Sequence, residues 1–130
     1  MTHYEGGCAC GAIRYEVRAD SKFSFHCQCR QCQRITGTGH ASQFMAPKEA
    51  VTLHGALAYF EYRAESGNSV NSGFCPTCGN PILKKSSGHP EVLFFHAASL
   101  DDPSLFKPQQ IVWSTGKQPW DYLDPSLERV

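Results

Sequence analysis

Residues 8–17 read Cys-Ala-Cys-Gly-Ala-Ile-Arg-Tyr-Glu-Val. Two signals meet in this stretch. Cys8 and Cys10 are a close pair of thiols followed at once by Gly11. From Ala12 to Val17 the apolar residues Ile13, Tyr15 and Val17 alternate with polar neighbours, the period-two pattern of a half-buried strand. A thiol pair running into a strand predicts a mainly β domain tied together by metal.

The rest of the chain extends that pattern. Lys22 to His26, Ser42 to Ala46, Val51 to Leu53, Leu57 to Arg63, Asn68 to Phe74, Glu91 to Ala97 and Ile111 to Ser114 are further short strand candidates. Gly55 and Gly67 bound one of them, and Pro47 separates two others. Helical periodicity is confined to a turn or two after Cys29, through Arg34, and again near Asp102 to Phe106. With 130 residues the chain is expected to form a single domain over 1–130, the tail after about 121 being a surface extension.

All seven cysteines fall into three groups: Cys8 and Cys10; Cys27, Cys29 and Cys32; Cys75 and Cys78. An odd count suits a disulfide framework poorly, and clustered thiols in a reducing compartment point to metal or catalysis. Cys75-Pro-Thr-Cys78-Gly79 has the spacing of a zinc knuckle, and zinc prefers four tetrahedral ligands. Joining this pair to Cys8 and Cys10 gives a four-thiolate structural site that ties the N-terminal region to the middle of the chain. Cys27, Cys29 and Cys32 are then left as a set of three with an open fourth position, the arrangement of a catalytic zinc. A closed site, free thiols, redox thiols near Arg30 and Arg34, or His26 as fourth ligand remain alternatives. His26 adjoins Cys27, so on a strand the two side chains point to opposite faces.

Lys plus Arg and Asp plus Glu each number 12, so the formal net charge is zero. That argues against nucleic-acid binding and against a polybasic membrane surface. No stretch has the roughly 18 apolar residues needed to span a bilayer. The opening MTHYEGGCACG lacks a charged and apolar leader, so the chain is expected to remain in the cytoplasm.

The segments GCACGAIRYEV, CQCRQCQRITG, GFCPTCGNPI, HAASLDDPSLFKP and IVWSTGKQPW, taken in order from Gly7 to Trp120, resemble the glutathione-dependent formaldehyde-activating enzyme family, also called the centromere protein V/GFA domain. The resemblance implies a β-tent fold of twisted antiparallel sheets, shared with the mammalian suppressor of Sec-four. It implies a structural zinc on Cys8, Cys10, Cys75 and Cys78 and a catalytic zinc on Cys27, Cys29 and Cys32. It also implies addition of glutathione to formaldehyde to give S-hydroxymethylglutathione, a carbon–sulfur lyase reaction in reverse. The expected partners are therefore a small thiol and an aldehyde, with a homo-oligomer left open. One departure stands out. The family often carries His in the middle of the CxC of the second group, and this chain carries Gln28, which cannot act as an acid or base. A non-catalytic zinc-stabilised binding module and a thiol-redox or zinc-buffer protein are the competing readings.

Glutathione brings two carboxylates, so its pocket calls for cations. Arg30 and Arg34 are the first candidates, with Arg63, Lys84 and Lys85 behind them, and Trp120 is a candidate for the pocket mouth. Asp101-Asp102-Pro103 reads as turn and cap chemistry. Phe44 and Phe74 read as core. His40, His54 and His96 read as structural histidines, His96 buried and hydrogen-bonded.

Overall fold

The computed structural model describes residues 2–130, with eleven strands, one α-helix and four 3-10 turns. Strands β1 (His3–Gly7), β2 (Arg14–Arg18) and β5 (Val51–His54) form a three-stranded antiparallel sheet in the order β1-β2-β5. The other strands are β3 (Phe23–Cys27), β4 (Ala41–Pro47), β6 (Ala58–Arg63), β7 (Ser69–Phe74), β8 (Pro81–Ser86), β9 (Val92–His96), β10 (Gln110–Val112) and β11 (Glu128–Arg129). They form an eight-stranded sheet in the order β11-β10-β3-β4-β9-β8-β7-β6. Pairing is antiparallel except at β10, which runs parallel to both β3 and β11.

The alternation in residues 12–17 explains how the sheets meet. Ile13, Tyr15 and Val17 are at most 1% exposed and join Tyr4 in a core against Phe44, Ala46, Ile82, Leu83 and Phe95 of the large sheet. Tyr4 stacks on Phe44 at 4.7 Å between ring centroids, and Phe44 on Phe95 at 5.4 Å. The buried Tyr15 hydroxyl is satisfied by the Ser99 hydroxyl at 2.7 Å.

Strand β4 is buried on both faces, which is why its sequence shows no clean polar side. Phe44 and Ala46 face the inter-sheet core. Residues 41, 43 and 45 point the other way, beside Phe25, Cys27 and Phe94, and this second face floors a cavity.

The tail after about 121 is mostly exposed, yet it is tied into the fold. Asp121 is buried, and Glu128–Arg129 pairs with β10. Proline and acidic residues in 121–130 hid this, because the tie comes from one buried carboxylate and a two-residue strand rather than from an apolar run.

Candidate metal centres and the cavity beside them

Strands β1 and β7 end in the turns that carry Cys8–Cys10 and Cys75–Cys78. Gly11 and Gly79 follow with φ of +83° and +77°, so each turn closes through a conformation that a Cβ disfavours. The amide of Gly79 donates to the Cys75 carbonyl at 2.8 Å, and that of Ala9 donates to Asn80 Oδ1 at 3.0 Å, locking one turn against the other.

The Sγ atoms of Cys8, Cys10, Cys75 and Cys78 all lie within 4.8 Å of one another. Cys8 to Cys10 is 3.6 Å, and Cys10 to Cys75 is 3.7 Å. Four thiolates at a Zn–S distance of about 2.3 Å around a tetrahedral ion are separated by about 3.8 Å, so this set fits zinc. Backbone amides supply the outer support: Ile13 donates to Cys8 Sγ at 3.2 Å and Thr77 to Cys75 Sγ at 3.4 Å. The Cys75 side chain is fully buried at the edge of the inter-sheet core.

The second group is built by a strand-to-helix junction. Cys27 ends β3, Cys29 caps helix α1 (Arg30–Thr36), and Cys32 lies in its first turn. The Cys32 amide donates to Cys29 Sγ at 3.3 Å, the bond an N-cap side chain normally accepts. The helix ends at Gly37 in the left-handed conformation. The sulfurs of Cys27, Cys29 and Cys32 also lie within 4.8 Å of one another, and Lys84 Nζ is 3.6 Å from Cys32 Sγ. Hydrogen bonds from the Cys27 and Cys32 thiols draw the Cys29 thiol down to about 2, with the Cys32 amide and Lys84 adding to the effect. The same crowding pushes Cys27 up. The cluster thus brings three sulfur donors to one point.

The second group borders a large cavity. Its volume is about 660 Å³, and Cys27, Cys29 and Cys32 line it together with Gln43, Tyr62 and Lys84. Roughly 300–1,000 Å³ is the usual range for small-molecule sites. Arg30, Arg34 and Arg63 reach its wall, as does Trp113. Among the described residues, Trp113 is the one non-glycine with a left-handed backbone, φ +54°. Such strain in a bulky residue concentrates at functional sites.

A family model described as "Glutathione-dependent formaldehyde-activating enzyme" (GFA) matches residues 3–116. The chain belongs to this family. A protein of Halomonas elongata named "Putative glutathione-dependent formaldehyde-activating enzyme" is 27% identical over 112 residues, covering 82% of this chain and 71% of that protein. The crystal structure of a Rhodobacter sphaeroides protein superposes with a TM-score of 0.61 at 25% identity, covering 75% of this chain and 87% of that one.

Within this GFA chain, the residues named from sequence fall into two sets. Arg30, Arg34, Arg63 and Lys84 surround the cavity. Lys85 instead lies over the Tyr59 ring, 4.7 Å from its centroid. Trp120 is 60% exposed and stands outside the cavity lining, where Trp113 is found. His26 faces away from the thiols, its Nδ1 2.8 Å from Ser42 Oγ and its ring 5.0 Å from that of His40. Gln28 does not line the cavity. It is 1% exposed, and its Nε2 donates to Asp121 Oδ2 at 3.0 Å, while His40 Nδ1 sits 3.0 Å from Asp121 Oδ1. Its place in the chain is thus a packing and hydrogen-bonding one. Asp102 caps the turn at Pro103–Leu105, and Asp101 pairs with Arg14. His96 is buried as expected, but among the described residues nothing partners its Nε2. Gln43 was not singled out from the sequence, because a glutamine between Ser42 and Phe44 carries no local signal of burial.

Proposed function

We propose that this protein joins glutathione, or a related thiol, to formaldehyde or another small aldehyde, acting as a zinc-dependent carbon–sulfur lyase of the S-(hydroxymethyl)glutathione synthase type. The observation that carries this reading is the asymmetry between the cysteine groups. Four thiols are gathered in a compact group outside the cavity lining, and three border a cavity of ligand size. In this reading the two-sheet architecture is of the β-tent kind and the chain is one domain working in the reducing cytoplasm.

Cys8, Cys10, Cys75 and Cys78 would hold a structural zinc. Cys27, Cys29 and Cys32 would hold a second zinc, which when bound supplies a Lewis acid and a place for a thiolate. The chain's own residues do the rest. The Lys84 ammonium, already 3.6 Å from Cys32 Sγ, favours a second anionic sulfur beside the cluster. Arg30 and Arg34 stand on the wall where the carboxylates of a tripeptide thiol would be received in bidentate fashion. Tyr62 stays protonated, since burial first and the neighbouring thiolates second raise its phenol well above its usual range, so it can only donate or accept a neutral hydrogen bond. In the reaction the thiol sulfur bonds to the aldehyde carbon, the carbonyl π pair moves to oxygen, and the proton lost by the thiol ends on that oxygen.

The test is the rate of exchange between ¹³C-formaldehyde, glutathione and their adduct, followed by NMR. The wild-type protein should accelerate exchange and Cys29→Ser should not. Equal acceleration by both proteins, or none by the wild type, would reject the reading.

A further inference from the structure

We propose that Gln43, which lines the cavity, and His96, paired with it across the sheet, form a buried subsite that binds the aldehyde-derived hydroxyl of the thiol adduct and so favours the adduct over a thioether lacking it. The inference rests on the adduct chemistry proposed above and names residues for its specificity.

Gln43 lines the cavity together with Cys27, Cys29 and Cys32, yet it is only 1% exposed. Among the described residues, neither its Nε2 nor its Oε1 has a hydrogen-bond partner. Its register partner across the β4–β9 pair is His96, so the two side chains share one face of the sheet. His96 is 5% exposed, and its Nε2 is likewise without a partner among the described residues. Three buried polar atoms are thus left unpaired side by side, which a protein tolerates at a cost unless a ligand completes them.

Position and charge narrow the ligand. On β3, Cys27 is opposite Ala41 and Phe25 is opposite Gln43, which puts Gln43 diagonally next to Cys27 on the same face. A sulfur held at the cysteine group would place an oxygen on its attached carbon within a few ångströms. Gln43 is uncharged, and His96 is neutral near pH 7, because burial and then the charge of Lys84 push it down to about 4. The pair itself offers no counter-charge to a carboxylate or ammonium, and Lys84, near enough to act on His96, is already 3.6 Å from Cys32 Sγ. A hydroxyl, with one donor and two acceptor positions, matches a carboxamide and a neutral imidazole.

Calorimetric titration of the zinc-loaded protein would compare S-hydroxymethylglutathione, maintained by excess formaldehyde and corrected for formaldehyde alone, with S-methylglutathione. The wild type should favour the hydroxyl ligand about tenfold or more. Gln43→Leu and His96→Phe should each bring that ratio towards one. Gln43→Leu should also keep or raise the melting temperature, since an apolar side chain replaces unpaired buried polar atoms. If Gln43→Leu fails to fold, Gln43→Met takes its place.

A ratio unchanged in both variants would overturn the subsite, as would equal wild-type affinity for the two ligands. Equal loss of affinity for both ligands in Gln43→Leu would assign the carboxamide to the peptide part and also overturn it. Failure of the wild type to bind either ligand would instead overturn the adduct reading itself.

Discussion

Replacing Cys75 by serine and replacing Cys29 by serine should have opposite consequences, although each removes one thiol from a cluster. Cys75 Sγ accepts from the Thr77 and Cys78 amides at 3.4 and 3.5 Å, sits 3.7 Å from Cys10 Sγ, and is fully buried. A structural zinc contributes about 10–16 kcal/mol of apparent binding energy, and a domain of this size has a net stability of about 5–15 kcal/mol. Losing half of such a contribution, about 5–8 kcal/mol, would remove much or all of that stability. Cys29, in contrast, caps a seven-residue helix through one N–H···S bond of 3.3 Å. Serine is among the preferred N-cap residues, so Cys29→Ser keeps the cap and should change stability by less than about 1 kcal/mol beyond the loss of metal at the second site. Thermal unfolding followed by far-UV circular dichroism, with zinc content measured on the same samples, separates the two. Cys75→Ser should be unfolded or melt far below the wild type. Cys29→Ser should melt close to the wild type and lose only the exchangeable metal. Equal damage from the two substitutions would refute the division into a staple and a working site.

Three further outcomes follow from buried or charged groups. Unfolded His96 titrates near 6.5 but folded His96 near 4, so the unfolded chain takes up the proton first. Stability should fall as pH drops from about 6.5 to about 4, by up to about 3 kcal/mol from this residue, and chemical denaturation of His96→Leu across that range should show a correspondingly flatter dependence. Lys84→Met should weaken glutathione binding by about tenfold or more in calorimetry, a fraction of the roughly 4 kcal/mol that two unit charges exchange at 4 Å and an effective dielectric of 20. Asp121→Ala removes the acceptor of Gln28 Nε2 and the partner of His40, and should cost about 2–4 kcal/mol in urea unfolding, although a disposable tail would cost nothing.

The two thiol turns that meet in the structure were legible because each is local in sequence. The close pairs Cys8–Cys10 and Cys75–Cys78 each mark a turn, and Gly11 and Gly79 mark where each turn closes. Alternation at Ile13, Tyr15 and Val17 likewise announced β2 and its buried face. The strands that escaped notice lack such a signal. Gly6 and Gly7 give β1 little strand propensity, yet a Cβ on Gly6 would lie 2.4 Å from the Ser99 carbonyl oxygen, so close approach of backbone demands glycine there. Pro81 and the lysines of β8 resemble a surface turn until Ile82 and Leu83 are seen in the core. Strand β11 is held by a parallel pair with β10 between segments distant in sequence, for which the chain carries no turn signature.

The cavity was harder to foresee than the thiols beside it. Lysine is normally a surface residue, and nothing adjacent in sequence shows that Lys84 comes to Cys32 across the sheet. Gln43 and His96 become neighbours through strand pairing alone. Trp113 and Trp120 are alike as sequence, yet Trp113 lines the cavity and Trp120 does not.

Zinc per chain, measured before and after incubation with excess glutathione and desalting, tests the central claim most directly. Two cysteine groups of different kind predict about two ions at first, falling to about one as the thiol competes for the metal at Cys27, Cys29 and Cys32 while the four-thiolate staple keeps its ion. Two ions that glutathione never moves, or a single ion throughout, would contradict an open and exchangeable second site.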